Sequence, residues 1–192
     1  MFKRFMVFGS LTMLVLSGCD LLQNPDPVPL PPPGTTCEEI SEDPNDPRLM
    51  DLRLAQRVPA YGGMFFDNNI LYVYLTDLAQ EEAVKQAIRE IFGPRWLEFH
   101  TYPEEIRVLQ GQYSYMQLKT WYECVRDQIP AIPGVIRTDL DERRNRIAID
   151  IDIGLQAKRK RQVIEAVETI LERLSIPREA VIIEFEQPSV FK

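Results

Sequence analysis

The sequence predicts an α+β fold made of two small antiparallel-sheet units, each ordered strand, turn, strand, helix, strand, and joined by a helix. Three observations carry this. Ile147, Ile149, Ile151 and Ile153 alternate with Ala148, Asp150 and Asp152, a period of two that turns one face to a core and one to water. Val163, Ile164, Val167, Ile170, Leu171 and Leu174 recur at helical spacing, the stripe of an amphipathic helix. The same order of elements then reads twice, over Tyr61 to Leu109 and over Pro133 to Phe185, with little residue identity between the halves.

In the first unit, Met64-Phe65-Phe66 reads as a strand, Asp67-Asn68-Asn69 as a turn and Ile70 to Thr76 as the second strand. Asn and Asp tolerate the left-handed backbone such turns need. A helix is expected from Leu78 to Phe92, with Asp77 as its N-cap, Gln80 as the capping partner and Val84, Ala87, Ile88, Ile91 and Phe92 as its stripe. Gly93-Pro94 should end it. Within Trp96 to Leu109, the better strand is Ile106-Arg107-Val108-Leu109.

Ser114 with Gln117 repeats the capping pattern ahead of a connecting helix, whose buried face is Leu118, Trp121, Tyr122, Val125 and Ile129. Cys124 should lie at the side of that stripe. The second half restarts at Pro133-Gly134-Val135. It continues with a strand through Ile136 to Asp139, a charged turn to Asn145, the alternating strand, and a helix from Leu155 to Leu174. Ile176-Pro177 breaks that helix before a closing strand, Ala180 to Phe185. The expected division is therefore residues 48–130 for the first unit with the connecting helix, and 131–192 for the second unit with its tail.

Ahead of these units, Lys3 and Arg4 precede an apolar run from Phe5 to Leu16, and Leu16-Ser17-Gly18-Cys19 closes it. The pattern reads as a secretory signal peptide over residues 1–18. Its last four residues resemble the lipobox of bacterial lipoproteins. That resemblance implies cleavage before Cys19, a diacylglyceryl group on its sulfur and a further acyl chain, such as palmitate, on its amino group. Each buried methylene is worth about 0.8 kcal/mol and about two chains give a stable anchor, so the expected location is extracytoplasmic and membrane-bound. The sequence does not choose between inner and outer membrane. An ordinary cleaved signal with an incidental cysteine is the alternative.

Residues 19–47 read as a tether, since Pro25, Pro27, Pro29, Pro31, Pro32 and Pro33 favour extended polyproline II. Without Lys3 and Arg4, the 22 basic residues fall to 20 against 29 acidic ones, a formal charge of −9. That balance argues against a nucleic-acid partner. Cys37 and Cys124 are then an even pair in an oxidising compartment, which reads as a disulfide; two free thiols are the alternative. The long loop such a bond closes is worth about 4–5 kcal/mol in the chain-entropy model.

A second likeness runs over most of residues 60–186. Tyr61-Gly62-Gly63-Met64-Phe65-Phe66-Asp67 is a glycine-aromatic strand, and Leu71-Tyr72-Val73-Tyr74-Leu75-Thr76-Asp77 an apolar strand ending in Thr-Asp before a helix. Gly134-Val135, Asp139 or Asp141, Asn145 and Ile147 to Ile153 follow in order. This arrangement resembles the prodomains of secreted chymotrypsin-like bacterial proteases, the alpha-lytic protease and streptogrisin group. The resemblance implies a fold like that prodomain's. It also implies a sheet and C-terminal tail that dock on a serine protease, the tail lying in the cleft like a cleavage product. This sequence departs from the family, since Lys192 is followed by no protease and the lipobox is present. The resemblance therefore bears on fold more than on activity. The matching tail is Glu186-Gln187-Pro188-Ser189-Val190-Phe191-Lys192, with a frayed terminus as the alternative.

Candidate chemistry is sparse. His100 is the single histidine, too few for a His-rich metal site, and no Gly-x-Ser-x-Gly, His-Glu-x-x-His or phosphate-binding loop is present. No catalytic residue, metal or cofactor is therefore expected. Asp150 with Asp152, and Asp139 with Asp141, are carboxylate pairs that suit calcium or acid–base work. A solvated turn and strand face is the better reading.

Lys158-Arg159-Lys160-Arg161 stands in the first turns of a helix, against its dipole. The cluster points either to an acidic partner or lipid headgroup or to a solvated helix start. Spacing assigns most of Tyr72, Tyr74, Tyr113, Tyr115 and Tyr122 to core or helix faces. The expected function is protein binding in the cell envelope, extending to inhibition or assisted folding of a chymotrypsin-like protease. The alternatives are a structural scaffold and an enzyme without a recognisable motif.

Overall fold

In the computed structural model, the described residues are Val28, 49–98, Pro103 and 105–188. The expectations for the signal peptide, Cys19, Cys37, His100 and Ser189 to Lys192 lie outside them. The fold is α+β. In chain order the elements are α1 (Met50–Arg57), β1 (Tyr61–Asp67), β2 (Ile70–Leu75), α2 (Glu81–Glu98) and β3 (Glu105–Gln110). After them come α3 (Tyr115–Gln128), β4 (Val135–Asp141), β5 (Arg146–Asp152), α4 (Ala157–Arg173) and β6 (Val181–Glu186).

The strands form two three-stranded sheets, β1-β2-β3 and β4-β5-β6. In each, the first two strands are an antiparallel hairpin. The third strand corrects the expectation of antiparallel sheets, because β3 runs parallel to β2 and β6 parallel to β5. The helix explains it: it carries the chain back to the end where the preceding strand began, so the next strand starts in the same direction. Each unit also shifts register near the start of its hairpin, beside a glycine of positive φ, Gly63 at 109° and Gly134 at 111°. The twofold order read from the sequence is thus present as repeated topology.

Local signals set the edges of the elements. Asn68 and Asn69 both have positive φ, 47° and 65°, which suits a tight two-residue hairpin turn. The Asp77 carboxylate accepts from Ala79 N at 3.0 Å over a short 3-10 turn that leads into α2. Ser114 Oγ accepts from Gln117 N at 3.3 Å at the start of α3. Gly93-Pro94 does not stop α2, which continues to Glu98. A proline removes one backbone bond and bends a helix, and later residues can still complete the next turn. Helix α1 is the element the sequence reading passed over, eight residues that bury Leu52, Leu54 and Ala55.

Two cores result. Leu71, Val73 and Leu75 of β2 pack with Val84, Ala87, Ile88 and Phe92 of α2 and with Leu54 and Ala55 of α1. Ile147, Ile149 and Ile151 of β5 pack with Val163, Val167, Ile170 and Leu171 of α4. Helix α3, grouped by sequence with the first unit, gives Leu118 and Val125 to this second core and its first residues, Tyr115 and Met116, to the first. Leu140 packs against both. Val28, in the stretch read as a free spacer, is half-buried against the second core. Among the described residues no helix is long and apolar enough to cross a membrane.

Ile149 is fully buried in the central strand of the second sheet. Ile149→Ala should lower stability by about 2–5 kcal/mol, read as a fall in the urea midpoint. Leu78→Ala, at an exposed apolar position, should change it by less than about 0.5 kcal/mol.

Candidate functional site

The two units meet where the β4–β5 turn enters the irregular start of β1. Asn145 ends that turn at φ 52°, a conformation Asn tolerates better than most residues, and only 1% of it is exposed. Its Nδ2 donates to Gly62 O at 2.7 Å and Tyr113 O at 2.8 Å. Its Oδ1 accepts from Gln112 N at 2.9 Å and Tyr113 N at 3.0 Å. One side chain thus satisfies four backbone groups from β1 and from the loop between β3 and α3. Gly62 makes the approach feasible, since a Cβ there would lie 2.7 Å from Tyr113 O.

Next to this clasp, Glu142 rests on Gly63, where a Cβ would be 3.4 Å from its Cγ, and its carboxylate accepts from Met64 N–H. It shares the junction with Asp51 of α1 and Tyr61 of β1. The Tyr61 hydroxyl donates to Asp51 Oδ1 in a short hydrogen bond. Burial, with the Asp51 charge second, pushes Glu142 up to about 8, and Asp139 and Asp141 add to the rise. Burial likewise raises Asp51, against the lowering effect of the Tyr61 bond. Burial and the same two carboxylates hold the Tyr61 phenol well above its usual range, with Tyr115 contributing. The group is a proton-holding cluster inside an interface.

On the outer face of the first sheet, Phe65 stacks on Tyr72 at 5.0 Å between centroids. Arg143 lies 5.1 Å from the Phe65 centroid and Arg107 5.9 Å from that of Tyr72. Tyr113, Tyr115 and Tyr122 lie in the cores or on α3, as expected for most of the five tyrosines, and Tyr72 and Tyr74 are the two on an outer sheet face. The strand period put them opposite Leu71, Val73 and Leu75, and that signal was available. The stack is internally satisfied: Arg107 grips Glu105 at 2.8 and 2.9 Å, Arg143 pairs with Asp67 at 3.2 Å, and Tyr74 Oη donates to Arg143 O at 3.0 Å.

Beside Tyr74 a cleft of about 470 Å³ opens at the junction, lined further by Gln110-Gly111-Gln112 and by Arg144 to Arg146. The sequence reading did not find it, because its two walls lie more than thirty residues apart. Gly62-Gly63 inside a strand pattern was the legible hint, since such glycines mark bulges and close backbone approach.

Asp150 corrects the reading of a solvated strand face. It is 2% exposed and pairs with Arg137 Nε at 2.6 Å, while its Oδ1 has no hydrogen-bond partner. Asp152 instead accepts from Gly154 N at 2.7 Å, Asp139 lies 3.6 Å from Arg137, and Asp141 pairs with Arg144. Among the described residues no three His, Cys, Asp or Glu side chains gather as around a metal ion.

Of the expected partner-binding residues, Lys158 to Arg161 lie in the first turns of α4, and Lys160 Nζ sits 5.0 Å from the Phe185 ring centroid. The structure so brings one residue of the basic cluster, Lys160, beside the strand that leads into Gln187 and Pro188. Cys124 is buried on α3, and the expected partner Cys37, like Cys19, lies outside the described residues. No protein-family model and no curated protein matches the chain.

Asn145→Ala strands four backbone groups, each worth about 1–3 kcal/mol when buried without a partner. It should destabilise by about 4 kcal/mol or more, and urea unfolding should split into two transitions as the units uncouple.

The carboxylate cluster sets a pH dependence. The folded chain keeps a proton on Glu142 up to about 8, whereas the free group ionises near 4.5, so the folded state holds more protons between these values. Stability should therefore fall as pH rises from about 4.5 to about 8. Urea midpoints across that range should show the decline, and Glu142→Gln should flatten it.

Proposed function

We propose that this chain is a lipid-anchored, non-catalytic protein-binding module of the bacterial envelope, with its partner surface at the C-terminal end of the second sheet. The observation that carries this reading is the contact between Lys160 and Phe185. It joins the basic cluster to the start of the tail, and 41% of Phe185 and 47% of neighbouring Ile153 remain exposed. Ile153 N donates to Glu186 O at 2.8 Å, so the two apolar side chains belong to one edge. A half-exposed apolar pair with the Lys160 ammonium against it suits a partner with an apolar and acidic surface.

The non-catalytic reading is supported by where the perturbed acids are. Asp51, Tyr61 and Glu142 hold their protons in the unit junction, and none of them lines the cleft. In this reading Cys19 bears the lipid and Cys37 is the partner of Cys124. The nine steps from Cys19 to Val28 span at most about 28 Å at polyproline extension, which bounds how far the second unit can stand from the bilayer. The finer proposal, from the prodomain resemblance, is inhibition or assisted folding of a chymotrypsin-like protease.

The test titrates the purified lipoprotein in detergent against secreted chymotrypsin-like proteases, beside a chain stopped at Phe185. Residual activity should fall with the intact chain, and the inhibition constant should weaken by roughly tenfold or more on truncation. Full protease activity throughout removes the protease reading, and equal inhibition by both chains removes the tail.

A further inference from the structure

The cleft at the unit junction is chemically unlike the rest of the chain. The protein has a formal charge of −7, yet this wall holds two arginines and no carboxylate. The two arginines are not equivalent. Arg144 is saturated, with Nε on Asp141 at 2.5 Å and both terminal nitrogens on Glu184 at 2.6 and 2.7 Å. Arg146 meets no carboxylate among the described residues. Its Nη1 donates to Asn145 O at 2.8 Å and its Nη2 to Gln112 Oε1 at 2.5 Å, and its guanidinium lies 5.0 Å from the Tyr113 centroid.

A guanidinium has five N–H donors in a fixed plane. Neutral acceptors occupy two of these donors at Arg146, and an aromatic ring restrains the plane, so the charge is oriented without being neutralised. The supports are themselves fixed. Asn145 is the buried clasp, Gln112 Nε2 donates to Tyr113 Oη at 3.0 Å, and Gln110 Nε2 is tied to the carbonyls of Leu75, Thr76 and Gly111 at 3.0–3.2 Å. Tyr74 supplies an aromatic side. A planar, preoriented cation in a small concavity is the arrangement that takes an oxyanion through paired hydrogen bonds, and about 470 Å³ falls at the smaller end of ligand pockets.

We propose that the junction cleft is an oxyanion-binding site for a small ligand ending in a carboxylate or phosphate, with Arg146 as the charge that holds it. Both units build the site: β2, the end of β3 and the β3–α3 loop come from one side, and the β4–β5 turn with the first residue of β5 from the other. A bound ligand therefore ties the units together. The site is separate from the C-terminal surface and stands or falls without it.

The test uses the full lipoprotein in detergent and follows binding calorimetrically. The probes are inorganic phosphate, N-acetylglycine, and N-acetylglycinamide as the uncharged control. At least one of the two anions should bind with a Kd of about 1 mM or tighter, and the amide should not. The anion that binds identifies the source chemistry, and its saturation should raise the thermal midpoint.

Arg146→Gln should weaken binding by roughly tenfold or more with the ligand-free midpoint little changed, and Arg146→Lys should recover part of it. Silence from both anions, equal binding of the amide, or unchanged affinity in Arg146→Gln overturns the proposal. If Arg146→Gln does not fold, the comparison of acid with amide on the unaltered protein still decides.

Discussion

The side-chain amide of Asn145 holds together three stretches of backbone that nothing in the local sequence would bring into contact. With two donors and two accepting lone pairs, an amide can serve two carbonyls and two N–H groups at once. Here it serves Gly62, Gln112 and Tyr113 from a turn more than thirty residues away. Buried backbone groups without partners are costly, so the junction exists in this form only while Asn145 is there. The left-handed conformation at Asn145 and the missing side chain at Gly62 are the two backbone conditions that let the amide in.

That clasp places an unfavourable group beside itself. The turn that presents Asn145 also carries Glu142 into contact with Gly63, near Asp51 and Tyr61. Two carboxylates in one junction, with a phenol donating to one of them, are tolerated because a proton is held there over the neutral range. Coupling between the units is thereby linked to proton uptake, a consequence of geometry that composition does not reveal.

The surfaces differ in how far they are satisfied internally. On the outer face of the first sheet, rings meet rings and each arginine has its carboxylate, so the stack reads as packing that steadies the hairpin and the incoming turn. At the cleft the same residue types leave a surplus: Arg144 is balanced and Arg146 is not. At the end of the second sheet the surplus is apolar, with Phe185 and Ile153 partly bare beside the basic start of α4. Uncompensated charge and uncovered apolar area distinguish a surface that can gain by binding from one that cannot.

Local pattern determined much of this protein. Period-two alternation fixed which isoleucines of β5 face the core, and helical spacing fixed the stripes of α2 and α4. The short side chains of Asp77 and Ser114 marked helix starts, and Asn68-Asn69 marked the first hairpin. Each of these depends on neighbours a few residues away, so the sequence alone carries it. Only the tertiary structure decided the direction of the third strand in each sheet, the allegiance of α3 to the second core and the continuation of α2 through Gly93-Pro94. It also decided the burial of Asp150 against Arg137 and the meeting of Asn145 with Gly62. The candidate site belongs wholly to this second group, although Gly62-Gly63 and Asn145 were visible as places where the backbone does something special. Periodicity tells which side of an element is dry; it does not tell which distant charge, ring or carbonyl will be waiting there.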